Sequence, residues 1–200
     1  PEWKDIYRNE QGEFLKGGDT PAQKKPPLLK RIISGFQTGA DIGGSKAAKI
    51  LKLKTGGTTP FGMETEKGYR PDYKKEYGAT EITQEQTDAY TGRNKKWGPR
   101  TEQNIINSDG TVIFGNKNSP GSKLTKKHAD EHGKPVLFNP SPSELNKWLI
   151  SNNISTLNVA GNRASSNPSL EKKVIDTIVE AYKDIPARKG GAGYEQHNKE

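Results

Sequence analysis

An apolar run, Leu28 to Ile33, breaks into Ser34-Gly35-Phe36-Gln37-Thr38-Gly39-Ala40-Asp41 and continues as a helix-forming stretch. A strand, a tight polar turn and a helix N-terminus together present unpaired backbone N–H groups and the positive end of a helix dipole, which is chemistry for holding an anion. Gly35, Gln37, Thr38 and Gly39 are therefore candidates for phosphate or oxyanion contacts. A second turn of this kind, Ser119-Pro120-Gly121-Ser122, precedes another helical stretch and adds Ser119, Gly121, Ser122 and Thr125. A third, Asn158 to Arg163, adds Asn158 and Gly161. Other signals carry less chemistry. Gly39 to Lys46 lacks the Gly-Lys-Ser/Thr ending of a nucleotide-hydrolysing phosphate loop. His128 and His132 stand four apart on a helix, but Ala129 occupies the place of the glutamate in His-Glu-x-x-His, so no metal site is assigned.

The elements that must position these turns alternate. Strands are expected at Lys30–Ser34, near Leu53, and at Thr80–Thr83, Thr111–Phe114, Val136–Phe138 and Thr156–Val159. Helices are expected at Gly39–Leu51, Thr101–Ser108 and Lys123–His132, from a Ser143 cap to Ile150, and from Ser166 or Asn167 to Tyr182, with Pro168 at the first position of the last. Thr55 to Pro60 reads as a loop, and Phe61 to Pro99 has no clear periodicity and covers one edge of the site. Alternation of this kind predicts an α/β fold, βαβ units building a parallel sheet with helices on both faces, in which the three turns meet at the carboxyl edge. Residues 29–185 form the expected domain, behind a polar N-terminal extension at 1–28 and ahead of a short tail at 186–200. Trp3, Tyr7 and Phe14 are positioned to tether the extension to the body.

The 200 residues carry a net charge of +8, of which almost all falls on residues 30–185. That excess suits a small phosphorylated ligand, and more weakly a nucleic acid, although the lysine pairs are scattered rather than dense. The absence of cysteine excludes disulfides and thiolate metal sites. No run approaches the roughly 20 apolar residues that span a bilayer, so the expectation is a cytoplasmic protein with no membrane partner. Association into a homo-oligomer through surface helices is the remaining partner expectation.

Four segments in register resemble the putative molybdenum carrier family, a branch of the SLOG superfamily of Rossmann-like folds. They are Ile33 to Asp41, Arg100 to Asn104 with Ser108 to Thr111, Gly121 to Thr125 with Gly133-Lys134-Pro135, and Leu157 to Arg163. The resemblance implies a protein that binds a phosphorylated heterocycle, a molybdenum pterin cofactor or a nucleotide, with Phe36 and Arg100 framing its ring or charge and Asn104 beside them. Relatives that cleave nucleotide N-glycosidic bonds imply a rival enzymatic reading, with Asp41 or Glu102 as the carboxylate. Against it, Leu124 to Lys127 lacks the glutamate those enzymes place after their glycine turn. A nucleic-acid-binding or assembly role is the third reading. Phe36 stands where the family pattern has a glycine, which suggests an aromatic wall for a stacked ring. The segment from Thr91 to Pro99 is longer than the family's connection and is either a basic lid or a surface loop with Trp97 tucked down.

Overall fold

The computed structural model describes residues 29–183, so the expectations for the extension, its aromatic tethers and the tail lie outside the described residues. In chain order the elements are β1 (Arg31–Ser34), α1 (Ala40–Ile50), β2 (Gly57–Thr59), β3 (Glu64–Thr65), β4 (Gly68–Tyr69), α2 (Asp72–Tyr77), β5 (Ala79–Glu81), α3 (Gln84–Ala89), α4 (Gly98–Ile106), β6 (Gly110–Phe114), α5 (Pro120–Glu131), β7 (Val136–Phe138), α6 (Pro142–Ser151), β8 (Thr156–Gly161) and α7 (Leu170–Lys183). No helix among them is long and apolar enough to cross a membrane.

Four strands form a wholly parallel sheet in the order β1-β8-β6-β7. Parallel strands must be covered on both faces, and alternation along each strand does this. Val112 and Phe114 of β6 and Leu157 and Val159 of β8 join Ala47, Leu145, Val174 and Ile178 of α1, α6 and α7 in one buried cluster. The intervening Thr111, Ile113, Asn158 and Ala160 face the other way, on the side of α5, and are buried as well. Two glycines in α1, a residue of low helix propensity, have a packing reason. A Cβ on Gly44 would lie 2.6 Å from Cβ of Val159, and one on Gly43 2.9 Å from Cβ of Val174, so their absence lets α1 approach β8 and α7.

The chain from Lys54 to Thr59 differs from expectation. Instead of a loop beginning at Thr55, residues 54–56 run along β1, with Ile32 N–H donating to Lys54 O at 2.9 Å and Ser34 N–H to Gly56 O at 3.2 Å. The following β2 pairs in parallel with β5. Gly57 has φ of 128° and its missing Cβ would overlap the Ser34 carbonyl, so close strand contact demands the residue that reads as a loop signal. The helix starts also shift. Ser119 caps α5, accepting from Ser122 N–H at 3.2 Å, so the helix opens at Pro120, three residues before the expected start. Ser141, not Ser143, caps α6 through a reciprocal box with Glu144. The last helix begins at Leu170 rather than at Pro168.

Candidate functional site

The β1–α1 turn is held from below. Phe36 occupies the left-handed region at φ 58° and is 1% exposed, its ring centroid 5.9 Å from those of both Tyr73 and Tyr77 of α2. It anchors the turn in a second apolar cluster with Ile42 and Met63. The side chain expected as a wall for a stacked ring is thus a buried anchor, because inward burial of an aromatic ring outweighs the strain of a positive φ.

On the other side of the turn, Gln37 is fixed by two backbone amides. Its Oε1 accepts from Thr38 N–H at 3.2 Å and Glu66 N–H at 2.9 Å, which determines which end of the amide is oxygen. The Nε2 donors are left without a partner. Asp41, 3% exposed, accepts from Gln37 N–H at 3.2 Å and faces Arg100 Nη1 of α4 at 3.5 Å. Burial pushes the Asp41 carboxyl above the usual carboxylate range, against the pull of Arg100, the Gln37 and Gly35 amides and Arg163. Burial likewise lowers the proton affinity of Arg100, Asp41 opposing it and Arg163 adding to it. Arg100 Nε is buried without a hydrogen-bond partner.

These groups line a cavity of about 430 Å³ at the carboxyl ends of β1, β8 and β6. The β8 end contributes Ala160 to Arg163, the α5 start contributes Ser119, Gly121, Leu124 and Thr125, and the α4 side contributes Asn94, Trp97 and Thr101. The three turns nominated from the sequence therefore meet at one cavity. Within its wall stand seven of the nominated residues: Gln37, Asp41, Arg100, Ser119, Gly121, Thr125 and Gly161.

The other nominated residues support that wall or lie elsewhere. Gly35 lies under the Arg100 guanidinium, where a Cβ would overlap Nη1, and a Cβ on Gly39 would lie 2.8 Å from Ala164 N. Thr38 Oγ1 bonds to Glu66 and accepts from Ala164 N–H, tying the β1–α1 turn to the segment after β8. Ser122 bonds Ser119 across the α5 cap at 2.9 Å, and Asn158 Nδ2 donates to Thr111 Oγ1 at 3.1 Å within the sheet. Asn104 clasps the backbone of Thr58, accepting from N–H at 2.8 Å and donating to the carbonyl at 3.0 Å, which fastens α4 to β2. Glu102 points away from the cavity, pairs with His132 at 3.0 Å and borders a separate, shallower depression with Ile82 and Ile106.

Sequence reading missed Asn94, Trp97, Thr101, Asn162 and Arg163 as wall residues. Their signal was present, since Trp97 sits in the segment between Tyr90 and Arg100 expected to form a lid or a tucked loop, and Asn162-Arg163 follows a strand at the expected edge. Of the two readings of that segment, the structure places the indole in the cavity wall, while Lys95 and Lys96 are exposed. His128 is buried, its Nε2 2.9 Å from the Tyr90 hydroxyl and its Nδ1 3.1 Å from Glu131. Among the described residues no three His, Cys, Asp or Glu side chains form a metal-ligand group.

Comparisons with known proteins agree with this architecture. The crystal structure of a putative molybdenum carrier protein from Syntrophus aciditrophicus is similar, with a TM-score of 0.64 and 30% identity over 78% of this chain and 96% of that one. No curated protein matches. The family model described as circularly permutated YpsA SLOG matches residues 32–182, which include all of the main sheet but Arg31 and every wall residue of the cavity. The resemblance carried by the four sequence motifs is thereby met, and the chain belongs to the circularly permutated YpsA SLOG family.

Proposed function

We propose that this protein binds a small phosphorylated heterocycle, a pterin cofactor or a nucleotide, in the cavity at the carboxyl edge of the sheet. One observation carries the reading: Gln37 and Arg100 line the cavity and each keeps a buried nitrogen with no hydrogen-bond partner. Leaving such a donor unpaired costs about 1–3 kcal/mol, which leaves both side chains with unused hydrogen-bonding capacity at the cavity wall. The charges agree, with Arg100 and Arg163 set against Asp41 alone. Gly121 supplies the start of α5, and a Cβ on it would meet nothing within 4 Å, leaving its first-turn amide approachable. The volume lies in the lower part of the range for small-molecule sites, which suits a mononucleotide or a pterin monophosphate. The similar structure named as a molybdenum carrier lends the pterin cofactor its place in this reading.

The rival reading, cleavage of a nucleotide's N-glycosidic bond, rests on Asp41, because Glu102 stands outside the cavity. Its raised proton affinity suits an acid or base. Yet its oxygens already serve the amides of Gln37 and Gly35 and the Arg100 guanidinium, which is the work of a residue that shapes the turn.

Thermal stability measured against nucleoside monophosphates, pterin phosphates, molybdate and oligonucleotides tests the proposal. A ligand at 100 times its Kd adds about 2.7 kcal/mol, which for a chain of this size raises Tm by roughly 5–11 °C. A shift selective for one small phosphorylated compound supports the reading, and release of free base from that compound would turn it toward the enzyme. A shift with oligonucleotides alone, or with nothing, overturns it.

A further inference from the structure

Three cations surround one indole. Lys96 Nζ lies 5.2 Å from the Trp97 ring centroid, Arg100 Cζ 5.8 Å and Arg163 Cζ 5.0 Å. Each is within the roughly 6 Å at which a cation is drawn to an aromatic face. Three like charges around one ring also repel one another, so what neutralises each of them matters. Lys96 is paired with Glu64, and Arg100 faces Asp41 at 3.5 Å. Among the described residues Arg163 makes neither a hydrogen bond nor a close ion pair from its guanidinium, and the carboxylates of Glu66 and Asp41 act on it only through space. Its contact with Trp97 is the weakest of tethers, worth on the order of a single cation–π contact, and the arginine stands half-buried in the wall of the cavity.

Resting on the reading of the cavity as a phosphate-ligand site, we infer that Arg163 is the residue that ligates the ligand's anionic group, and that Trp97 is the rest position from which the guanidinium is drawn. The planar guanidinium can present two parallel N–H donors to a phosphate, a bond roughly twice as strong as a neutral one. The exchange is favourable because a diffuse cation–π contact is replaced by charge-assisted hydrogen bonds inside a partly desolvated cavity. Arg100 cannot make the same move, since leaving Asp41 would strand a buried carboxylate. The two arginines thus divide the work. Arg100 holds the β1–α1 turn in shape through Nη1 and offers the ligand only its Nε from a fixed position, and Arg163 moves to the anionic group.

The exchange is read on two independent signals. Calorimetry gives affinity for the monophosphate that raises Tm most, and Trp97 emission reports departure of the guanidinium, with Trp97→Phe identifying its share of the fluorescence. Arg163→Gln is expected to weaken binding by about 10- to 100-fold, the range for losing hydrogen bonds to a charged group, and to abolish the ligand-dependent emission change. Arg163→Lys should recover part of the affinity, since it keeps the charge without the fork. The Tm of both unliganded variants should stay within a few degrees of wild type, because the side chain has no hydrogen bond or ion pair to lose. Wild-type binding that Arg163→Gln leaves intact overturns this inference while sparing the proposed function. Failure of the wild type to bind any phosphorylated heterocycle overturns both.

Discussion

Replacing Phe36 by alanine and by glycine should give an inverted order of stability. Truncating a buried phenylalanine to alanine costs about 3–5 kcal/mol, and Phe36, 1% exposed between Tyr73 and Tyr77, is a full instance of that burial. At a negative φ, glycine would be worse than alanine by a further 0.5–1 kcal/mol, roughly, through its extra unfolded-state entropy. Here φ is 58°, where a Cβ costs about 1–2 kcal/mol. Taking the difference, Phe36→Gly should be more stable than Phe36→Ala by about 0.5–1 kcal/mol, with both well below wild type. In a chain of this size that corresponds to a loss of roughly 6–20 °C in Tm for Phe36→Ala, and about 1–4 °C less for Phe36→Gly. Differential scanning calorimetry resolves the gap, whereas extrapolated urea free energies, uncertain by about 10–15%, blur it. Alanine equal to or better than glycine would refute the assigned backbone conformation. A cost under about 1 kcal/mol for either variant would refute the anchor and restore Phe36 as an exposed wall.

Four further outcomes are expected. Gly121→Asp places a carboxylate in the open space at the start of α5, where the helix dipole favours it by about 0.3–1 kcal/mol; Tm should hold or rise while affinity for a phosphorylated ligand collapses, as calorimetry on the same sample would show. Glu102→Gln should leave ligand affinity and any turnover unchanged and lower Tm by no more than about 4 °C, because its pair with His132 lies outside the cavity and half-exposed pairs contribute at most about 1 kcal/mol. For Glu66, burial tends to raise the carboxyl, but hydrogen bonds from Ser165 and Thr38 prevail and hold it below the usual 4.5. Its stabilisation is present above pH 4.5 and lost as pH falls through the lower folded value, so Glu66→Gln should flatten the acid limb of a Tm–pH profile. Asp41 has the opposite sign: its folded pKa is raised, so its contribution is full below 3.8 and lost as pH rises through the folded value. Removing the opposing charge with Arg100→Met should steepen that loss, and a Tm–pH profile parallel to wild type would show that the two side chains do not interact.

Much of the main sheet is written in short apolar runs such as Val112 to Phe114 and Val136 to Phe138, which is why its strands and the helices between them can be read directly, whereas the short elements between Phe61 and Pro99 cannot. What stays hidden has local causes. Backbone approach at Gly57 put a glycine inside a strand, and glycine pairs read as loops. The α6 start was legible and misread, since Ser141-Pro142-Ser143-Glu144 carries a serine with glutamate three residues on, which marks Ser141 as the cap. Helix geometry could also have separated Arg100 from Glu102. Residues two apart on a helix of 3.6 residues per turn point about 200° apart, so they cannot both face one cavity. Phe36 has no such signal. A ring at a glycine position reads equally as a wall or as an anchor until Tyr73 and Tyr77, nearly forty residues on in sequence, are seen beside it.

The glycines of the candidate site show why a motif names a site more readily than its contacts. A glycine before a helix suggests backbone open to a phosphate, but it is equally demanded wherever another part of the protein needs the space of a Cβ. Arg100 takes that space at Gly35, the segment from Asn162 to Ala164 takes it at Gly39, and the Phe114 carbonyl takes it at Gly161. At those three positions a substitution damages the frame, and lost binding would say nothing about contact with a ligand. Gly121 alone among the nominated glycines faces open space, so the protein itself gives no reason for the missing side chain there. A glycine that the fold does not require, at a helix start whose cavity holds Arg163 and the unpartnered donors of Gln37, is where substitution separates ligand contact from architecture.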